Sequence, residues 1–230
     1  MNSHKHKVLF LCGFFLTCLC LFSCSNESGS EQGGNLQNAA DQNLLRSMEL
    51  VDAAVGNYFS NESMSMARYY NPYTQVSSQE RASVWMYTSA IEAVNSILKA
   101  LKTQSDLGYT ALYDQHHVRY VQLLEKLFDG LQYYKGSFRL VSYTQTREWS
   151  VYAVNRAGAP GTADVSGILN VYDDQQWLVR ELLESYHLTG NREYLDEAEY
   201  LAQYVLDGWD CTLDSAGKEY GGITWGPGYV

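Results

Sequence analysis

The spacing of apolar residues constrains the fold of this chain more than any other feature of its sequence. Apolar side chains recur every three or four positions in five segments, and this spacing places them on one face of an α-helix. The clearest segment runs from Tyr194 to Leu206. The other four are Leu44 to Tyr58, Val84 to Leu101, Val121 to Leu131 and Leu178 to Tyr186. The sequence therefore predicts an all-α fold built from five helices.

The connection between the last two helices is short and predicts how they pack. In the segment Thr189–Asn191, Gly190 suits a left-handed helix end and Asn191 suits the cap of the next helix. A loop of this length joins two antiparallel helices into a hairpin. One hairpin after another indicates a solenoid or a closed ring, although the sequence has no strict repeat.

The connection between the third and fourth helices is long, from Lys135 to Val171. Phe138 and Leu140 alternate with polar residues, and so do Trp149 and Val151, which is a strand-like pattern. Long connections in compact domains usually serve a function. We interpret this segment as loops with a short β-hairpin over a binding face, and the alternative is a flexible insertion.

The amino-terminal residues have the pattern of a bacterial lipoprotein signal. After two lysines, Val8–Phe22 is almost wholly apolar, which is typical of a signal peptide and short for a membrane span. Leu21–Cys24 resembles a lipobox, which implies cleavage before Cys24, a lipid on its sulfur and a lipid-anchored protein of the cell envelope. We expect a signal peptide over residues 1–23, a flexible tether over 24–40 and a helical domain over 41–230.

The composition after the signal excludes several classes of site. Of the five cysteines only Cys211 remains outside the signal and the lipidation site, so neither an intramolecular disulfide nor a cysteine zinc site is expected. Removing residues 1–23 removes two lysines and no acids, which leaves 14 basic against 26 acidic residues and a net charge of −12. This charge repels nucleic acid but not a neutral glycan, whose rings can stack on the 19 tyrosines and five tryptophans.

Two adjacent carboxylates mark the start of the fourth helix, in the segment NVYDDQQW that contains Asp173 and Asp174. Asp is a favoured N-cap, and a second Asp in the first turn complements the helix dipole. The pair can therefore be interpreted as a helix cap. The alternative interpretation is a catalytic pair, because two nearby carboxylates share protons and can act as acid and nucleophile.

The residues around the pair favour the second interpretation, because they resemble glycoside hydrolase family 76. The resemblance extends loosely over Leu44–Val230 and is strongest in residues 170–225. Its motifs are Tyr172–Trp177, Leu182–Tyr186, Leu188–Asn191, Tyr194–Leu195, Gly208–Asp210 and Gly221–Trp225, with a weaker one from Ser83 to Ala93.

The resemblance implies an (α/α)6 toroid of six helical hairpins that hydrolyses α-1,6-linked mannose backbones. Asp173 matches the nucleophile and Asp174 the acid/base. Retaining glycosidases need two carboxyl groups about 5–5.5 Å apart, and helix neighbours that diverge by roughly 100° can reach both sides of one glycosidic oxygen. No cofactor is implied. No metal is expected either, because His116 and His117 point apart on a helix.

Four aromatic residues are candidates for substrate binding. Tyr172 and Trp177 flank the aspartate pair, and core packing is the alternative for Trp177. Trp225 follows two glycines in a predicted loop, where an exposed ring can form a sugar platform. Trp85 lies on a periodic helix, where core packing is the alternative.

The chain departs from the family pattern in its number of helices. Five predicted helices correspond to an incomplete ring, since a closed one has twelve. We expect the sequence to represent a truncated or split reading frame, and an incomplete ring can leave such a fragment inactive even with both aspartates present. A competing hypothesis is a non-catalytic glycan-binding lipoprotein for nutrient capture, and a third is a helical-repeat interaction module. The aspartate pair favours the enzyme.

Overall fold

The computed structural model describes residues 29–60 and 62–227, and within them the chain forms the five predicted α-helices. These are α1 (Gly29–Tyr58), α2 (Val84–Asp106), α3 (Ala111–Leu131), α4 (Tyr172–Thr189) and α5 (Arg192–Asp207). The described strands form two antiparallel pairs, β1 (Tyr70–Asn71) with β2 (Val76–Ser77), and β3 (Lys135–Val141) with β4 (Thr146–Tyr152). The all-α prediction is confirmed. No helix in these ranges is long and apolar enough to cross a membrane.

The chain divides into two units at Ala39, and the second unit contains α2 to α5, all four strands and the core. The first unit contains the beginning of α1, which starts inside the segment predicted as a tether. The predicted signal peptide and the lipidation site Cys24 lie outside the described residues.

The core of the second unit forms because each helix has one apolar face. On α2 this face consists of the residues that the spacing predicted: Val84, Tyr87, Ile91, Val94, Leu98 and Leu101, all at most 1% exposed. Burying a side chain of this size stabilises a fold by about 1.5–3 kcal/mol. Helix α2 packs against α3 and α4, and α4 packs against α5, so the hairpins stack side by side.

The turn between α4 and α5 has the left-handed glycine and the asparagine cap that the sequence predicts. Gly190 ends α4 with a φ of 73°, a left-handed conformation that favours glycine. The side chain of Asn191 then accepts a hydrogen bond of 3.0 Å from the backbone N–H of Glu193 and caps α5. The two helices form the expected antiparallel hairpin.

The long connection after α3 contains the predicted β-hairpin. Strands β3 and β4 pair in register from Lys135 with Tyr152 to Val141 with Thr146. Trp149 and Val151 of β4 are buried and belong to the core. The hairpin is therefore a packed part of the fold, which contradicts the alternative of a flexible insertion.

Candidate active site

The first turn of α4 carries both aspartates, but neither caps the helix. The N-cap is Val171, which has extended backbone angles and makes no side-chain capping bond. The interpretation of an aspartate as the N-cap is therefore wrong, since Asp173 and Asp174 follow Tyr172 inside the first turn of the helix. Their charges still lie where the positive end of the helix dipole stabilises an anion.

The two carboxylates have different surroundings. Asp173 is exposed, whereas Asp174 is partly buried. Burial and, to a smaller extent, the neighbouring charge of Asp173 together raise the pKa of Asp174 to about 6. Within the described part of the chain, neither carboxylate forms a hydrogen bond or an ion pair with another side chain. Both groups therefore keep their oxygens available to a ligand.

The pair lines an open pocket of about 460 Å³. The connection between β4 and α4 contributes Val154 and Ile168 to its wall, and the N-cap residue of α2 contributes Ser83. Three tryptophans complete the lining, namely Trp85, Trp177 and Trp225. A pocket that combines two carboxylates with aromatic rings has the groups needed to bind a sugar and to protonate it.

The tertiary structure corrects the core-packing alternative for two of these tryptophans. Trp85 is 54% exposed and Trp177 is 39% exposed, so both rings are available at the pocket. Trp225 is also 54% exposed. Trp85 is the second residue of α2 and lies two positions before the core residue Tyr87, which places the two rings on opposite sides of the helix.

Tyr172 does not contact the pocket, and its prediction as a substrate-binding residue is wrong. The side chain is 1% exposed, and its ring centroid lies 5.0 Å from that of Tyr204 on α5. The backbone of Gly208 lies so close to the ring that a Cβ there would overlap it. Its neighbours Val171 and Asp173 line the pocket, whereas Tyr172 points toward α5.

The loop that carries Trp225 is attached to the start of α4. The backbone N–H of Tyr172 donates a hydrogen bond of 2.9 Å to the carbonyl oxygen of Trp225. This N–H belongs to the first turn of the helix and has no partner within the helix itself. The bond therefore satisfies a free donor and also brings Trp225 beside the two aspartates.

No protein-family model matches the sequence, and no curated protein matches it either. A solved glycoside hydrolase family 76 mannosidase from Bacteroides thetaiotaomicron is similar to the chain with a TM-score of 0.52 at 18% identity, over 79% of this chain and 40% of that one. The chain has the fold of glycoside hydrolase family 76. The predicted resemblance and the predicted architecture, part of a ring of helical hairpins, are confirmed at the level of the fold.

Two further solved structures of the same family are similar to the chain. One is a family 76 glycoside hydrolase from a bovine strain of Bacteroides thetaiotaomicron, with 19% identity, a TM-score of 0.49 and coverage of 79% of this chain and 32% of that one. The other is a family 76 alpha-mannanase from Bacteroides thetaiotaomicron, with 16% identity, a TM-score of 0.49 and coverage of 79% and 40%. The chain thus spans well under half the length of these proteins.

The family 76 fold of this chain places one further charged residue beside the pocket, which the sequence analysis did not identify. The guanidinium of Arg180 lies 4.1 Å from the ring centroid of Trp177, and an adjoining pocket of about 300 Å³ is lined by Asp173, Gln176, Trp177 and Arg180. Arg180 also forms ion pairs with Glu92 at 2.8 Å and with Glu181 at 2.7 Å. Arg180 follows Asp173 by seven residues, or two helical turns, and this spacing could have predicted that the two side chains lie on the same face of α4.

Gln175 is the second residue that the sequence analysis missed. It follows the aspartates directly, yet it is fully buried and bound to the backbone of β4. The signal was its spacing of three from Tyr172 and from Leu178, both of which are buried. A polar residue at a core position of a helix needs a specific partner.

Proposed function

We propose that the chain carries the catalytic aspartates of a glycoside hydrolase that acts on α-1,6-linked mannan. The observation that carries this proposal is the position of Asp173 and Asp174 side by side in an open pocket with three exposed tryptophans. The fold shared with a family 76 mannosidase supports the same reaction class. Because the chain spans 40% of that protein, the activity of the whole enzyme is part of the proposal.

The proposed reaction retains the configuration of the sugar and proceeds in two steps. Asp173 attacks the anomeric carbon while Asp174 donates its proton to the glycosidic oxygen, so that the leaving sugar departs as an alcohol and a glycosyl ester forms on Asp173. The ionised Asp174 then accepts a proton from water, whose oxygen attacks the anomeric carbon and releases Asp173. Each aspartate ends the cycle in its initial state.

The surroundings of the two groups support this division of roles. The raised pKa of Asp174, about 6, keeps about half of this carboxyl protonated at pH 6 and about a tenth at pH 7, and the protonated form is the one that a general acid requires. Asp173 is the more exposed of the two carboxylates, so its oxygens can reach the anomeric carbon of a bound sugar as a nucleophile requires. Because the acid form of Asp174 is needed, we expect kcat to fall as pH rises above about 6, which a pH–rate profile would measure.

The tryptophans supply the proposed binding surface. Flat aromatic rings stack on the apolar faces of sugars, and Trp85, Trp177 and Trp225 surround the carboxylates. A neutral glycan is compatible with the acidic net charge of the chain, whereas a polyanion is not. The reaction needs no cofactor or metal ion beyond these side chains.

The decisive experiment is incubation of the protein with debranched yeast mannan, followed by analysis of the products. The proposal expects shorter manno-oligosaccharides, and the variants Asp173→Asn and Asp174→Asn should each lose at least about 100-fold in rate. Asp196→Asn, an exposed carboxylate on α5, is the matched control and should cleave like the wild type. Undiminished cleavage by the Asp173→Asn variant would exclude the proposed mechanism.

A second candidate function is glycan binding without catalysis, as in a nutrient-capture protein. The exposure of all three tryptophans at the pocket favours it, because binding needs these rings but not the aspartates. Calorimetry with manno-oligosaccharides separates the two functions. The binding function is supported if the wild type binds the sugars and releases no products, and if the variant with both aspartates changed to Asn binds them equally well.

We further propose that the protein is attached to the cell envelope by a lipid on Cys24. The support is the lipobox-like sequence Leu21–Cys24, which lies outside the described residues. Metabolic labelling with radioactive palmitate tests this attachment. The wild type should carry the label and Cys24→Ser should not, whereas equal labelling of Cys211→Ser and wild type is the expected control.

A further inference from the structure

Gln175 joins the start of α4 to the last residue of β4 through two hydrogen bonds. The backbone N–H of Tyr152 donates to Oε1 of Gln175 at 3.2 Å, and Nε2 of Gln175 donates to the carbonyl oxygen of Tyr152 at 2.7 Å. Gln175 is 0% exposed, and so is Tyr152. The side-chain amide therefore pairs with a backbone in the way that a neighbouring strand would.

The β-hairpin leaves these two backbone groups available. Ala153 donates its N–H to Tyr134, and Lys135 stands opposite Tyr152. In an antiparallel pair this arrangement makes Tyr152 a residue whose own N–H and C=O point away from the partner strand. They point toward α4, where Gln175 satisfies both. A buried backbone group without such a partner would cost about 1–3 kcal/mol.

The aspartate pair lies between two attached residues of the same helical turn. Tyr172 is held by its bond to Trp225 and by its packing on Tyr204. Gln175 is held by β4 at the other end of the turn. Since side-chain directions differ by about 100° per residue, fixing both ends fixes the rotation and the height of the turn between them. The directions of both carboxylates follow from that rotation.

We propose that Gln175 is a positioning residue, whose bidentate bond to Tyr152 directs Asp173 and Asp174 into the pocket. The proposal rests on the proposed function for its catalytic meaning, but the orientation of the carboxylates can be measured without any activity. Gln175 is not among the residues that line the pocket. Its effect passes through the backbone of α4.

The most direct readout is the titration of Asp174, followed by carbon NMR of its carboxyl group. Burial raises this pKa, and Asp173 is the only other charged side chain that lines the pocket among the described residues. A turn that is no longer held exposes Asp174 to water. In Gln175→Met, which keeps the side-chain volume but forms neither bond, we expect the pKa to fall by about one pH unit toward its ordinary value.

The matched control is Tyr200→Phe. The hydroxyl of Tyr200 on α5 accepts a hydrogen bond of 2.8 Å from the backbone N–H of Ser150, so it also attaches a helix to β4, but away from the aspartates. This variant should lose a similar amount of thermal stability and leave the titration of Asp174 unchanged. Gln175→Asn, whose shorter side chain cannot reach both backbone groups, provides a second test in case the Met variant does not fold.

The outcomes separate this proposal from the proposed function. A shifted titration in the Gln175 variants, with an unshifted control, supports positioning whether or not the protein cleaves mannan. A wild-type titration in a folded Gln175 variant overturns it, since Gln175 would then contribute only to stability. If the protein does cleave mannan, positioning further requires that kcat fall about tenfold or more while KM changes little.

Discussion

The indole N–H of Trp149 donates a hydrogen bond of 3.2 Å to Oδ2 of Asp207, across the junction between β4 and the end of α5. Three further donors bind Oδ1 of the same carboxylate: the hydroxyls of Ser142 and Thr144 and the side-chain amide of Gln145. These residues form the turn of the β-hairpin. One buried carboxylate therefore attaches the whole tip of the hairpin to the helix that packs against α4.

We predict that Asp207→Ala destabilises the protein by about 2–4 kcal/mol, because hydrogen bonds to a charged group are strong and the buried Trp149 N–H would lose its partner. Urea denaturation measures the change. The control is Asp196→Ala, whose exposed carboxylate pairs with Arg192 at 3.2 Å on the surface of α5. It should change stability by less than about 0.5 kcal/mol, and equal losses in both variants would contradict the prediction.

Asp174 should make stability depend on pH in a direction opposite to that of an ordinary carboxylate. Its pKa is about 6 in the folded protein against 3.8 unfolded, so the unfolded chain releases this proton first as pH rises. The contribution of Asp174 to the free energy of unfolding is fully present below pH 3.8 and is lost between that pH and about 6. Above pH 6 the folded state therefore carries a partly buried charge at a cost.

The variant Asp174→Asn removes that cost. We expect its melting temperature to exceed that of the wild type at pH 7.5 by a few degrees, which corresponds to about 1 kcal/mol after allowance for solvent screening. The two proteins should melt together near pH 3.5. Calorimetry at both pH values tests this, and a variant less stable than the wild type at pH 7.5 would show that the carboxylate has favourable contacts there.

Gly208 is predicted to be intolerant of any side chain. It follows α5, and a Cβ on it would overlap the ring of Tyr172 at the start of α4. Gly208→Ala should therefore cost about 1–3 kcal/mol, since the ring is buried and cannot move aside. Thermal unfolding measures the loss.

Gly56 offers the matched control for this substitution. It lies inside α1, and a Cβ there would meet no atom within 4 Å. Gly56→Ala should stabilise the protein by about 0.5–1 kcal/mol, because alanine is the better helix former. If Gly208→Ala and Gly56→Ala shift the melting temperature in the same direction, the close packing of Tyr172 on Gly208 is refuted.

Trp225→Ala should weaken glycan binding without a matching loss of stability. The ring is 54% exposed, so little apolar area is lost from the core, whereas a stacked sugar would lose its platform. We expect manno-oligosaccharides to bind about tenfold more weakly by calorimetry. Tyr73→Ala removes a ring that is 95% exposed and lies outside the pocket, and its binding should equal that of the wild type.

The apolar spacing predicted the helices well because helix formation and burial depend on local periodicity. The α2 face from Val84 to Leu101 and the turn at Gly190 were both readable, the first from its spacing and the second from the conformational preference of glycine. The hairpin within the long connection was readable from alternation at Trp149 and Val151. The resemblance to family 76 was carried by short motifs around Asp173 and is matched by the fold.

The site was only partly readable, because exposure depends on what a helix packs against. Trp85 and Tyr87 are two residues apart on one helix, yet the first lines the pocket and the second is buried. Tyr172 flanks the aspartates in sequence but faces Tyr204 across the α4–α5 hairpin. Gln175 received no prediction, since its partner Tyr152 lies 23 residues away on β4.

By itself, the sequence determined the number and order of the helices, the hairpin turn and the identity of the acidic pair, since these follow from neighbours a few positions apart. Only the tertiary structure decided that Val171 occupies the N-cap position of α4, that Tyr172 is buried and that Trp85, Trp177 and Trp225 meet around the carboxylates. The physical reason is that burial and charge environment arise between elements. A side chain acquires its accessibility and its pKa from residues that are distant in the chain and adjacent in space.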